Sequence, residues 1–159
     1  VSSLAKRTGS KFGWLIFAIG VLGFITGTEI IGKIFFINRT ESMPRGIYLK
    51  QAQTKLKSGD IIVFYFDEFK SNLVKYVVGV ASSEFCIDQE AILWLDSFPV
   101  AQLNIEKYPS KKPDQSQCQR LATDEILVIG EHPDSYDSRY FGPIKLERII
   151  AKVELLWEF

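Results

Sequence analysis

The stretch that decides the fold is Gly59–Gly79, GDIIVFYFDEFKSNLVKYVVG. Within it, Asp60 to Phe66 and Leu73 to Gly79 are short runs rich in Ile, Val, Phe and Tyr, side chains that suit a pleated, half-buried surface. Neither run repeats its apolar positions at helical spacing. Runs of the same kind recur outward from this pair, at Ile47 to Lys50, Ala91 to Leu95, Pro99 to Leu103, Ile126 to Ile129 and Ile149 to Leu156. Turn chemistry separates them: Ser58-Gly59-Asp60, Asp96-Ser97 as a hairpin tip, Tyr108-Pro109-Ser110 and Lys112-Pro113-Asp114. Strands spaced by turns, with no helix between them, predict a mainly β fold, a barrel or sandwich rather than a parallel α/β sheet. The polar segment Lys107 to Gln119 reads as a surface loop.

The chain has 159 residues, no formal net charge and 47% hydrophobic residues, which is one domain's core with something added. No nucleic-acid partner and no cofactor are expected. The addition is N-terminal: from Phe12 to Ile31, FGWLIFAIGVLGFITGTEII, only Glu29 is charged. A helix of about 20 residues covers a hydrocarbon core of about 30 Å. Lys6, Arg7 and Lys11 precede the run, so the flanking charge predicts a cytoplasmic N-terminus and export of the chain beyond the run. The expected organisation is a cytoplasmic tail over 1–11, a transmembrane anchor with an interfacial segment over 12–37, and an exported domain over 38–159. A cleaved secretory signal shares the basic and apolar pattern, but the run is long for one and no small-x-small pair stands at a convincing distance beyond it. Either reading exports the domain.

Ser42 stands in Thr40-Glu41-Ser42-Met43-Pro44-Arg45-Gly46-Ile47-Tyr48, just past the anchor and just before a strand. A serine hydroxyl becomes a useful nucleophile only beside a base. His132 is the one histidine, and a Ser-His-Asp triad would use it with Asp134 or Asp137 as orienter. Its setting, Glu131-His132-Pro133-Asp134, is a polar Pro-containing turn, where an imidazole is usually solvated rather than buried and oriented. Lys75 is the only charge in the apolar run Asn72 to Gly79, and strand alternation places it with Leu73 and Val77. Two readings stay open there. Burial would depress the ammonium's pKa and free an amine to accept the serine proton, whereas an edge strand or a snorkelling stem would leave an ordinary lysine.

A third constellation is Gly130-Glu131-His132-Pro133-Asp134-Ser135-Tyr136-Asp137-Ser138-Arg139-Tyr140-Phe141-Gly142. With Ser42-Met43-Pro44, Gly59-Asp60-Ile61-Ile62-Val63-Phe64 and the Lys75 strand, in that order, it resembles the type I signal peptidase family over about Thr40 to Val153. Ser-Met-Pro-Arg-Gly-Ile-Tyr and Asp-Ser-Arg-Tyr-Phe-Gly-Pro-Ile look most like the conjugative-transfer, TraF-type branch, which processes pilin precursors. The resemblance implies a signal-peptidase-like β domain behind one transmembrane helix in a bacterial inner membrane, with the catalytic domain periplasmic. It implies a Ser-Lys dyad endopeptidase acting on a membrane-inserted pilin or preprotein. Carried over by position, Ser42 is the nucleophile and Lys75 the general base. The Ser42 N–H and the Thr40 hydroxyl are the oxyanion donors. Ser135 orients the lysine amine, and Asp137 and Arg139 form a supporting ion pair.

Each role has its own chemistry. Acyl transfer places negative charge on a carbonyl oxygen, which preorganised donors stabilise. A serine hydroxyl can hold a lysine amine without adding a charge that would raise its pKa. Asp137 and Arg139, two apart, would share a side in an extended segment, where an ordinary surface ion pair is the plainer reading. The sequence also departs from the family pattern: Val80-Ala81-Ser82-Ser83 comes after Gly79 where many members have Leu-Pro-Gly-Asp, and Gly130-Glu131-His132 stands where housekeeping members have Gly-Asp-Asn. The domain is short, with little room for the large extra β-domain of some members. Cys86 and Cys118 are a disulfide candidate for an exported domain, and two cysteines with one distant histidine give no tetrahedral metal site. Two other classes fit parts of the chain. A catalytically silent anchored scaffold would use the β domain as an interaction surface, and a self-cleaving Ser-Lys regulator would be cytoplasmic, against the hydrophobic N-terminus.

Overall fold

The computed structural model describes residues 34–52, 54–111 and 115–159, together with Trp14, Ile16 and Phe17. The chain divides into two compact units, Val1–Phe36 and Ile37–Phe159. Most of the anchor expected over 12–37, the whole of the 1–11 tail and the Lys112-Pro113-Asp114 turn lie outside the described residues. Among the described residues no helix is long and apolar enough to cross a membrane. Phe35–Asn38, in the stretch assigned from sequence to the interface, is strand.

The strands are β1 (Phe35–Asn38), β2 (Gly46–Lys50), β3 (Ile61–Phe66), β4 (Ser71–Gly79), β5 (Glu84–Ile87), β6 (Ile92–Leu95), β7 (Phe98–Gln102), β8 (Gln117–Arg120), β9 (Glu125–Ile129), β10 (Ile144–Lys145) and β11 (Ile149–Glu158). A single-turn helix, α1 (Ser138–Phe141), lies between β9 and β10. They form a seven-stranded sheet in the order β1-β2-β11-β3-β4-β9-β10 and a four-stranded sheet in the order β7-β6-β5-β8. The fold is therefore mainly β. The second sheet, four short strands, is an insertion between β4 and β9.

The hairpin of β3 and β4 behaves as its composition predicts. Val63 pairs with Val74 and Ile62 with Lys75 in antiparallel register, while β9 covers the other side of β4. Lys75 thus lies on an interior strand and not at an edge. Strand β9 shows why its run is apolar without alternation, since both of its faces are buried. Ile126 and Val128 pack with Ile62, Phe64, Phe66, Val77 and Ile144. Leu127 and Ile129 pack with Phe85, Leu93, Leu103 and Tyr140, joining the two sheets.

Strands β5 and β8 escape a reading based on apolar alternation. Gln117-Cys118-Gln119-Arg120 is exposed throughout and ends a segment expected to be loop. Its place comes from the ladder to β5, where Cys86 and Cys118 face each other and are joined in a disulfide. Closing a loop of this size stabilises by about 3 to 4 kcal/mol in the chain-entropy account. Asp96 and Ser97 both adopt positive φ, 47° and 72°, as a tight hairpin tip requires. Val80 to Ser83 also forms a turn, closed by Ser83 N–H to the Val80 carbonyl at 3.1 Å.

Candidate active site

The loop between β1 and β2 carries Ser42, and the buried Asn38 shapes it. The Asn38 side-chain amide donates to the carbonyls of Thr40 at 2.9 Å, Met43 at 2.9 Å and Pro44 at 3.1 Å, while its oxygen accepts the Thr40 N–H and hydroxyl. Met43 is a fully buried plug under the loop, and the Tyr48 hydroxyl donates to the Pro44 carbonyl at 2.7 Å. The backbone on either side of Ser42 is therefore fixed. By contrast, the Glu41–Arg45 pair is exposed at both ends and adds little.

Lys75 reaches this loop from β4. Its Nζ lies 2.6 Å from Ser42 Oγ, and the residue is only 2% exposed. Burial pushes its pKa down from 10.5 to about 8, the Asp137 carboxylate pushes it up and the Arg139 guanidinium down. The amine is thus poised to exchange a proton with the hydroxyl it touches. Thr40 Oγ1 stands 3.1 Å from Ser42 Oγ and donates to Asn38 Oδ1 at 2.8 Å.

The end of β9 brings in the second half of the site. Gly130 lies where a Cβ would collide with the Ser42 carbonyl and with Ser135 Oγ, so only glycine lets the two serines approach from either side. Ser135 is 2% exposed and its hydroxyl has no hydrogen-bond partner among the described residues. The bond to Lys75 implied by the resemblance is not formed here. An unpartnered buried hydroxyl costs about 1 to 3 kcal/mol, the kind of cost retained at working sites.

Asp137 and Arg139 differ from the sequence reading in setting. They do not lie in an extended segment: Asp137 caps α1, accepting the Arg139 N–H, and Arg139 is the second residue of that helix. Nor are they a surface pair, because their side chains are 0% and 3% exposed. The contact is bidentate, Nε to Oδ1 at 2.8 Å and Nη2 to Oδ2 at 2.7 Å. Asp137 also accepts the Gly130 N–H at 2.9 Å, and Arg139 donates to the carbonyls of His132, Pro133, Ser135 and Gln102.

The triad alternative meets contrary geometry. His132 is exposed, and its Nδ1 accepts the Asp134 N–H at 3.1 Å within its own turn. Asp134 bonds Asn104 and Asp137 bonds Arg139, so neither carboxylate orients the imidazole. Sequence reasoning singled out Thr40, Ser42, Lys75, Ser135, Asp137 and Arg139, which the fold gathers. It missed Asn38, Gly130 and Asn104, whose parts depend on partners far along the chain or on backbone proximity.

A family model described as signal peptidase, peptidase S26, matches residues 11–158. The chain belongs to the peptidase S26 family. This is a serine protease family that works through a Ser-Lys dyad, and its signal peptidase I members are membrane-anchored. Among curated S26 relatives, the signal peptidase I of Bacillus caldolyticus is 28% identical over 113 residues, covering 63% of this chain and 61% of that protein. The chain thus spans about three-fifths of that relative's length. A crystal structure of a signal peptidase I from Enterococcus faecalis aligns with a TM-score of 0.46 at 17% identity, over 65% of this chain and 100% of that one.

Proposed function

We propose that this S26 chain is a membrane-anchored endopeptidase in which Ser42 is the nucleophile and Lys75 the general base. The observation that carries the reading is the 2.6 Å contact between Ser42 Oγ and a lysine amine removed from water. In the neutral form Lys75 accepts the Ser42 proton as Oγ attacks the scissile carbonyl. The Ser42 N–H and the Thr40 hydroxyl stabilise the oxyanion, and the ammonium then protonates the leaving amine. Water repeats the sequence on the acyl-enzyme. Ser135, 2% exposed and beside Gly130, takes a hydrogen bond with the amine as it changes charge in this reading. The Asp137–Arg139 pair holds that loop together.

Cleavage should therefore rise with pH as the Lys75 ammonium loses its proton, with an apparent pKa near the value of about 8 that burial gives it. A pH profile of kcat/KM measures this. A flat profile from acid to alkaline pH would remove Lys75 as the base.

The substrate we infer is a membrane-inserted preprotein whose extended cleavage site emerges at the outer face of the inner membrane. The resemblance implies small residues at the first and third positions before the cut. Within that class we favour a pilin precursor of a conjugation system, supported by Ser42-Met43-Pro44-Arg45-Gly46 and Gly130-Glu131-His132. Removal of ordinary signal peptides is the second reading, favoured by the curated relative. The acyl-enzyme can pass to water or to the substrate's own amine, and the conjugative branch allows a cyclic product. Mass spectrometry of pilin matured with and without the active chain decides. Cyclisation appears as the loss of one water relative to the linear product, and pilin processed equally without the chain would sink the pilin assignment.

A further inference from the structure

The segment that leaves the inserted sheet grips the catalytic loop. At the end of β7 the Gln102 carbonyl accepts from Arg139 Nη1 at 3.2 Å. Leu103 is buried and its N–H donates to the Ala91 carbonyl at 2.9 Å, which pins this exit to its own sheet. Asn104 comes next. Its Nδ2 donates to Asp134 Oδ1 at 2.7 Å, and its backbone N–H donates to the Tyr140 hydroxyl at 2.8 Å. Asp134 immediately precedes Ser135 and Tyr140 comes directly after Arg139, so one residue holds both ends of the segment bearing Ser135, Asp137 and Arg139. Asn104 is itself immobilised, because its Oδ1 accepts the Lys107 N–H at 3.0 Å and its carbonyl accepts the Tyr108 N–H at 3.0 Å. The Asn104 amide is also the largest influence holding the Asp134 carboxyl below its ordinary range.

We propose that Asn104 is a positioning residue, whose side-chain bond to Asp134 holds the Ser135–Arg139 segment closed over Lys75 and so keeps the amine out of water. The proposal rests on the reading of Ser42 and Lys75 as the dyad. The groups that bear on the amine are Ser42 Oγ from the β1–β2 loop and Asp137 and Arg139 from the β9–α1 segment. Across β3 its partner is the apolar Ile62 and β9 pairs the other side of β4, so the polar groups that meet the amine come from the Ser42 loop and the segment that Asn104 grips. Loosening that grip admits water beside the ammonium and favours its charged form.

The test is the pH dependence of kcat and KM for Asn104→Ala, measured on the full chain in detergent with a preprotein substrate. The expected result is an alkaline displacement of the activity limb by about one pH unit, which is a loss of roughly tenfold at neutral pH. The loss should shrink to less than about twofold once the pH exceeds the displaced limb, with KM unchanged. Asp134→Ala, a change at a half-exposed side chain, should reproduce the displacement, and the double variant should be no worse than either single one. A profile superimposable on the parent's would overturn the proposal even if Asn104→Ala unfolds more easily, and so would additive losses in the double variant. Full activity of Lys75→Ala would instead refute the dyad beneath it, a result that does not involve Asn104.

Discussion

Lys75→Ala is expected to lower kcat/KM for precursor cleavage by roughly 10³-fold or more while leaving the fold intact. The loss comes from position, because no other base touches Ser42 Oγ among the described residues. His132→Ala serves as the control and should leave kcat/KM unchanged, since the imidazole bonds its own turn. Activity retained by Lys75→Ala would sink the dyad. Stability should move in the opposite direction. With a pKa of about 8 in the fold against 10.5 outside it, Lys75 costs about 3 kcal/mol below pH 8. Between those values the unfolded chain binds more protons than the folded one, so stability rises with pH across that window. Lys75→Met, which keeps the volume and removes the charge, should therefore raise the unfolding midpoint at pH 7, and its advantage should narrow as the pH approaches 10.5. A midpoint for Lys75→Met that falls at pH 7 would show that the amine carries no such burden.

The parts of this fold that were legible in the sequence are those whose cause is local. The runs at β3, β4 and β9 bury β-branched and aromatic side chains, and their composition says so wherever they pair. Asp96-Ser97 was legible because a two-residue tip needs positive φ. Strand β8 was not, because Gln117-Cys118-Gln119-Arg120 buries nothing and is strand only through its ladder to β5 and the disulfide. The site divides in the same way. Lys75 stood out as a charge in an apolar run, yet its pattern could not separate an edge from an interior strand, since that depends on β9 arriving from the far side of an insertion. Asp137 and Arg139 were legible as a pair. Their burial was not, because it depends on Gly130, Gln102 and the one-turn helix they begin. Asn104 gave no signal, as a polar residue after a strand reads as a turn until its partner thirty residues on is known.

Arg139→Met is expected to destabilise the domain by about 3 to 5 kcal/mol, read from the urea midpoint at constant slope. The side chain's volume is nearly kept, so the cost is electrostatic. Asp137 would be left fully buried with only the Gly130 and Arg139 backbone N–H groups to hold it, and four carbonyls would lose the donor they share. A double variant, Asp137→Leu with Arg139→Met, should lose less than the single one, because removing both charges leaves no unpaired ion. The chemistry should respond as well. Arg139 lowers the Lys75 pKa and Asp137 raises it, so deleting the guanidinium alone removes the lowering influence, leaves the raising one unopposed and moves the amine upward. In Arg139→Met the activity limb should therefore lie above the parent's value of about 8, and in the double variant it should fall back toward it. If Arg139→Met proved nearly as stable as the parent and titrated like it, the ion pair would be neither the brace of the Ser135 segment nor a neighbour that the Lys75 amine feels. Both readings of the pair make the same demand, that Asp137 never stands alone beside Lys75, and the bidentate contact to Arg139 is how this chain meets it.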